Sequence, residues 1–278
     1  MSRTTTFDRA GARATRRINQ RAGRRLAQLA PRHTRRGVKT TLGAITDTLE
    51  QRLIVEFVGE VGGKRLLDAG CGDGLLVSAL TRRGAYAVGI DADFRMLVAA
   101  ESRATHAEGR RAFVEGRLEK LPFPDAVFDV VVAVTVLCFV SDPSLVLREA
   151  VRVLRPGGRL VIGELGRWNV WAARRRIRAW LGSQTWKAAR FRTASELRSL
   201  VEQAGIAVTG ARGAVYYPPL GWIARILAPA DPWLGRLTTS GAAFIALVGT
   251  KGNAPTDAPQ TDSSERRSDP RPEGVFGP

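Results

Sequence analysis

From Arg65 to Arg82 the chain runs through a short apolar segment, Arg65-Leu66-Leu67-Asp68-Ala69, a glycine-dense turn, Gly70-Cys71-Gly72-Asp73-Gly74, and an apolar helical pattern from Leu75 onward. Strand, glycine turn and helix in that order open a βαβ unit, and a crossover of this kind commits the following chain to return to the same sheet. The pattern continues accordingly. Ala85 to Asp91 predicts a second strand, Phe94 to Ser102 a helix and Ala112 to Glu115 a third strand. Val127 to Phe139 reads as a continuous apolar run, interrupted by Asp129 and Thr135, as in a strand covered on both faces. Ser144 to Leu154 predicts a helix stopped by Pro156-Gly157-Gly158, and Arg159 to Glu164 a fifth strand. Upstream, Leu49, Leu53, Ile54, Phe57, Val58 and Val61 have helical spacing over Asp47 to Val61, ended by Gly62-Gly63. Downstream come a helix at Ala194 to Ala204 and strands at Ile206 to Tyr217 and Gly241 to Thr250. The expected fold is α/β, a doubly wound and mostly parallel sheet.

Charge divides the 278 residues differently. The formal net charge is +17, and residues 1 to 40 hold twelve Lys and Arg against the single acid Asp8. That stretch imitates an organellar transit peptide in composition, but its amphipathic pattern is poor, which favours a solvated basic arm. Residues 252 to 278, rich in Pro, Asp, Ser, Thr and Arg without periodicity, are expected to be a disordered tail. The folded domain is therefore placed at 41 to 251, with insertions at about 165 to 192 and 218 to 239. Two cysteines cannot build a disulfide framework, and no Cys/His cluster offers a metal site. The longest apolar run, Val130 to Val140, is 11 residues where a spanning helix needs roughly 20. The expectation is a cytoplasmic protein without a membrane span, in contact with a membrane at most peripherally.

The turn itself indicates what it can bind. It lacks both G-x-G-x-x-G and the phosphate loop GxxxxGK[ST], and it places Asp68 before the glycines and Asp73 among them. Carboxylates there repel pyrophosphate and suit a cationic ligand. Asp91, closing the second strand, stands where an acid accepts both hydroxyls of a ribose. The plainer alternative is that Asp68, Asp73 and Asp91 cap the helices that follow them.

Four segments together carry a resemblance: Leu66 through Gly74, Val88-Gly89-Ile90-Asp91, Leu121-Pro122-Phe123-Pro124-Asp125 running on to Val132, and Arg152-Val153-Leu154-Arg155-Pro156-Gly157-Gly158. In order and spacing they resemble the successive motifs of class I S-adenosylmethionine-dependent methyltransferases, within the group that includes the ubiquinone and menaquinone methyltransferases. The resemblance covers about residues 47 to 165. It implies a Rossmann-like, seven-stranded sheet with an antiparallel last strand, S-adenosyl-L-methionine as cofactor and no metal. By the same resemblance Asp68, Gly70, Cys71, Gly72 and Gly74 hold the methionine end, Asp91 the ribose, and Ala92 and Met96 the adenine; Val134 is counted with them, and Glu119 or backbone groups at Leu118 are the alternatives for the family's adenine-contacting acid. The chain departs from the family at Arg117, where the third strand usually ends in an acid, and at Leu137-Cys138-Phe139-Val140, where many relatives carry histidines.

Methyl transfer from a sulfonium needs alignment and desolvation more than a strong base. Candidates for a base at the pocket mouth are Tyr216, Tyr217 and Cys138, with Glu164 behind them, each equally explained by packing. His33 and His106 read as solvated surface residues. Residues 167 to 192 hold Trp168, Trp171, Trp180 and Trp186 among eight arginines and lysines and no acid. A basic, tryptophan-bearing helix is the pattern of an interfacial membrane anchor, and equally of a lid packed on the core. The expected acceptor is a hydrophobic small molecule, quinol-like or lipid, met at an anionic membrane surface through 167 to 192 and the arm. The alternatives are an RNA or protein acceptor held by the basic arm, or a cofactor-binding adaptor without transfer activity. Val134-Thr135-Val136-Leu137 offers no polar clamp for a nucleobase amine, which argues against nucleic acid.

Overall fold

The computed structural model describes residues 40–103 and 111–252. The arm up to residue 39, the tail from 253, His33 and His106 lie outside the described residues. Helix α1 (Thr41–Val58) starts ahead of the expected Asp47, because the Thr40 hydroxyl accepts from the Gly43 amide at 3.1 Å and supplies an N-cap. There follow β1 (Arg65–Ala69), α2 (Leu75–Arg82), β2 (Tyr86–Asp91), α3 (Phe94–Arg103), β3 (Arg111–Glu115), β4 (Phe128–Val134), α4 (Pro143–Val153) and β5 (Leu154–Leu165). The first insertion folds into α5 (Val170–Trp180) and α6 (Gln184–Ala188). After α7 (Ala194–Gln203) and β6 (Ile206–Ala214), the second becomes α8 (Gly221–Leu227) and α9 (Asp231–Leu237), and β7 (Phe244–Lys251) closes the domain.

The sheet has seven strands in the order β3-β2-β1-β4-β5-β7-β6. β7 runs antiparallel to both β5 and β6, while the pairs among β1 to β5 are parallel. Alternate residues of the central strands feed two cores. Leu66, Val130, Val132 and Val161 face one with α1 and α2, and Leu67, Val131, Leu160 and Ile162 face the other with α4 and α7. Each such side chain taken fully out of water contributes about 1.5–3 kcal/mol, which is why these strands are apolar without alternation.

The apolar run Val127 to Phe139 is only partly strand. β4 stops at Val134 because Thr135 takes φ +54°, and the Val136 and Leu137 amides turn away to Glu164 Oε1, at 3.0 and 2.6 Å. Of the rest of the run, Val136, Leu137 and Cys138 are buried in and after this turn, and Phe139 is exposed. β6 likewise ends before the expected Tyr217. Val215 has φ +65°, and the buried Asp231 accepts from the Val215 and Tyr216 amides at 2.9 and 2.8 Å. β5, by contrast, begins at Leu154 instead of Arg159, since Leu154 already pairs with Phe128.

Candidate functional site

The sheet order reverses between β1 and β4, and beyond the carboxyl ends of these strands the crevice outside the sheet opens. A cavity of ≈ 330 Å³ lies there, within the size of small-molecule sites. Gly70 and Gly72, which line it, and Gly74, which does not, have φ of +81°, +52° and +70°, the left-handed region that glycine enters without strain. A Cβ on Gly70 would overlap Val136 Cγ2, and one on Gly74 would come within 2.7 Å of Ala100 and 2.8 Å of Phe113. Gly70 thus keeps the β1 turn close to the end of β4, whereas Gly74 serves the packing of α2.

Asp68, Gly70, Cys71, Gly72, Met96 and Val134 all line the cavity, as do Asp73, Leu75 and Leu76. Asp91 sits behind the turn: its Oδ2 accepts from the Gly72 amide at 2.8 Å and its Oδ1 from the Asp93 amide at 2.9 Å, so one carboxylate joins the β1 and β2 ends. Asp68 is buried and accepts no hydrogen bond among the described residues. Burial, with Asp91 beside it, pushes its carboxyl up to about 7. Asp68 is therefore no helix cap. Neither is Asp73, whose carboxylate meets Arg103 at 2.7 Å, and α2 has no side-chain cap at all.

An under-compensated buried carboxylate, a glycine floor and an acidic rim fit S-adenosylmethionine, whose methionine end carries a sulfonium and an ammonium. Toward the adenine end the picture is looser. Leu118 is buried, Ala92 is exposed, and Glu119 is held by Arg117 at 3.3 Å; none of the three lines the cavity.

The three base candidates are drawn elsewhere. The Tyr217 hydroxyl meets Thr46 Oγ1 at 3.2 Å in the core, and the Tyr216 hydroxyl donates to the Thr238 carbonyl. Cys138 is fully buried, and burial beside Glu164 pushes its thiol further from ionisation. None lines the cavity, so proximity in sequence to a strand end did not place them at its mouth. Glu164 is buried too, one oxygen committed to the turn after β4.

Sequence reasoning missed a second wall. Asp47, Glu50, Gln51 and Ile54 of α1 line the cavity opposite the glycines. Their spacing, i, i+3, i+4 and i+7, marks one helix face and was legible beside the apolar stripe. From the insertion comes Arg175, its guanidinium 5.7 Å from the Trp171 ring centre and 5.2 Å from that of Trp186. Its Nη1 is buried without a hydrogen-bond partner.

The family model that matches residues 67–162 is described as a methyltransferase domain. A ubiquinone biosynthesis O-methyltransferase of Azorhizobium caulinodans is 32% identical over 70% of this chain and 79% of its own length. Its counterpart in Nitrobacter winogradskyi is 33% identical over 57% of this chain, and there the match spans 62% of the relative. Among solved structures, a Thermotoga maritima protein described as a SAM-dependent methyltransferase, possible histamine N-methyltransferase, aligns over 76% of this chain and 91% of its own, with a TM-score of 0.58 and 24% identity. An S-adenosylmethionine-dependent methyltransferase of Mesorhizobium loti aligns over 74% of this chain and 100% of its own, at TM-score 0.57 and 22% identity. At these identities the solved structures speak for the fold.

Proposed function

This chain belongs to the S-adenosylmethionine-dependent methyltransferases, and from that membership we propose that its acceptor is a hydrophobic small molecule, quinol-like or lipid, reached at an anionic membrane surface. The bound cofactor supplies an activated methyl group. The chain's own residues do the rest: Asp68 sets a negative charge against the cationic methionine end, Asp91 takes the ribose, and the glycine turn lets backbone close on the ligand. Met96 and Val134 exclude water around it.

One observation carries the acceptor class. Trp168, Val170, Ile177, Trp180 and Leu181 on and around α5 are exposed, Trp180 to 84%, as are Trp222, Ile226, Trp233 and Leu237 on α8 and α9. Water-facing tryptophans in such number are costly for a free surface and suit an interface. Arg174, Arg176, Arg178, Lys187, Arg190 and Arg225 are exposed among them, which complements anionic headgroups. Trp171 is turned inward instead, its Nε1 donating to the Tyr217 carbonyl at 2.8 Å, so α5 is both packed lid and exposed face. Among the described residues no helix is long and apolar enough to cross a membrane. The relatives of Azorhizobium and Nitrobacter, named for ubiquinone biosynthesis, support a quinol-like acceptor.

Labelled methyl from S-adenosylmethionine should enter the lipid-extractable fraction of a lysate, and label confined to the macromolecular fraction would refute the acceptor class. Flotation with phosphatidylglycerol vesicles should retain the protein, and neutral vesicles should not. Trp180→Ala and Trp222→Ala should each weaken that binding about tenfold, the loss of about 1.4 kcal/mol of apolar burial. Equal flotation on both vesicles would remove the surface from the proposal.

A further inference from the structure

Four carboxylates line the cavity, and their surroundings differ. Asp73 is tied to Arg103, Asp68 lies at the floor beside Asp91, and Asp47 is an exposed residue of α1. Glu50, one turn further along α1, is half-buried on the cavity wall, and its carboxylate makes no hydrogen bond or close ion pair among the described residues. We propose that Glu50 is the base that receives the proton of the hydroxyl that a quinol-like acceptor presents. The proposal rests on the methyltransferase function above and deepens it by naming the residue that takes the acceptor's proton.

Placement comes first. Glu50 shares its cavity with Asp68, Gly70 and Val134, the residues assigned to the methionine end, and it comes from a different element, α1. The electrostatic surroundings follow. Asp47 on its own helix, Arg175 on α5 and Tyr217 after β6 face it, with Asp68 and Asp73 across the cavity. Arg175 is held between two tryptophan rings and has one nitrogen unpartnered, so its charge acts on Glu50 without binding it. Burial, with Arg175 opposing and Asp47 assisting, sets the Glu50 carboxyl at about 8. A base works best when it titrates near the working pH, and a phenol is the hydroxyl whose acidity such a carboxylate can meet.

In the step, the acceptor oxygen bonds to the methyl carbon as the carbon–sulfur bond breaks, and that bond's electron pair stays on sulfur. The hydroxyl proton passes to the Glu50 carboxylate. A sulfonium and a carboxylate become a thioether and a carboxylic acid, so charge and atoms balance. An amine acceptor would attack through its own lone pair and leave Glu50 without this role.

Two measurements test it. Carbon-13 NMR of carboxyl-labelled glutamates in ligand-free enzyme, assigned with Glu50→Gln, should place the Glu50 midpoint near 8; a midpoint in the ordinary glutamate range overturns the proposal. With S-adenosylmethionine and a prenylated catechol as probe, Glu50→Gln should lower kcat about 100-fold while calorimetric affinity for S-adenosylhomocysteine stays within about twofold. Arg175→Met should move the rising limb of kcat to higher pH, because the removed cation had lowered the Glu50 carboxyl. Unchanged kcat in Glu50→Gln overturns the base and leaves the methyltransferase function standing. Lost S-adenosylhomocysteine affinity in that variant makes Glu50 a cofactor ligand and overturns the base equally. Transfer by both enzymes to a prenylated amine and not to the catechol overturns the hydroxyl acceptor together with the base.

Discussion

Replacing Gly70 by alanine separates the backbone demand of the cofactor turn from its steric demand, and Gly63 provides the reference. Both residues have positive φ, +81° and +72°. A Cβ at Gly63 meets nothing within 4 Å, whereas one at Gly70 overlaps Val136 Cγ2. Holding a non-glycine residue in the left-handed region costs about 1–2 kcal/mol, so Gly63→Ala should lose about that much. Gly70→Ala carries the same term plus the overpacking of Val136, a further ~1–3 kcal/mol, because Val136 is buried and its amide is fixed on Glu164. At about 2–4 °C per kcal/mol for a domain of this size, the expected losses are roughly 5 °C for Gly63→Ala and roughly 10 °C for Gly70→Ala. Differential scanning calorimetry of the two ligand-free variants measures this, and S-adenosylhomocysteine titration adds the functional arm. Gly63→Ala should bind as the wild type does, and Gly70→Ala should bind at least tenfold more weakly, since Val136 and the turn must move into the cavity. Equal Tm losses would refute the close approach of β1 and β4 as the reason for glycine at position 70. Wild-type affinity in Gly70→Ala would refute the placement of the cofactor on that turn.

Asp91→Ala should weaken S-adenosylmethionine binding more than tenfold by calorimetry, because it frees the Gly72 and Asp93 amides and removes the carboxylate proposed to accept from the ribose. Arg117→Ala, at an exposed residue whose side chain pairs with Glu119, should change affinity less than about twofold; a comparable loss at both positions would contradict the assignment. Asp68 provides a pH signature. Its folded carboxyl is raised to about 7 from an ordinary value of 3.8, so the ligand-free fold gains from protonation below that ordinary value and loses the gain as pH rises through 7. Asp68→Asn should flatten the fall in Tm between pH 4 and 7, and an unchanged slope would show that Asp68 does not titrate there.

The sequence alone determined the alternation of strands and helices, the glycine turn and the acids around it, because these follow from local rules: side-chain periodicity, the steric freedom of glycine and the short range between a turn and its own strand. It also marked Asp91, which closes its strand wherever the sheet goes. Where elements end was a different matter. Val127 to Phe139 is apolar but for Asp129 and Thr135, and the long-range contact of Glu164 with two amides stops the strand at Val134. Tyr216 and Tyr217 stood at a strand end in sequence, yet Asp231 and Thr46, from other elements, turn them into the core. The Trp/Arg insertion was legible as amphipathic, but which tryptophan faces inward depended on Tyr217 offering Trp171 a carbonyl. The sequence marked Asp47, Glu50, Gln51 and Ile54 as one helix face, and only the tertiary structure made that face the cavity's second wall. Glu50 is an ordinary glutamate on a helix until the fold sets α1 against the β1 turn and places Arg175 near it, and the desolvation that changes its chemistry exists only in that assembly.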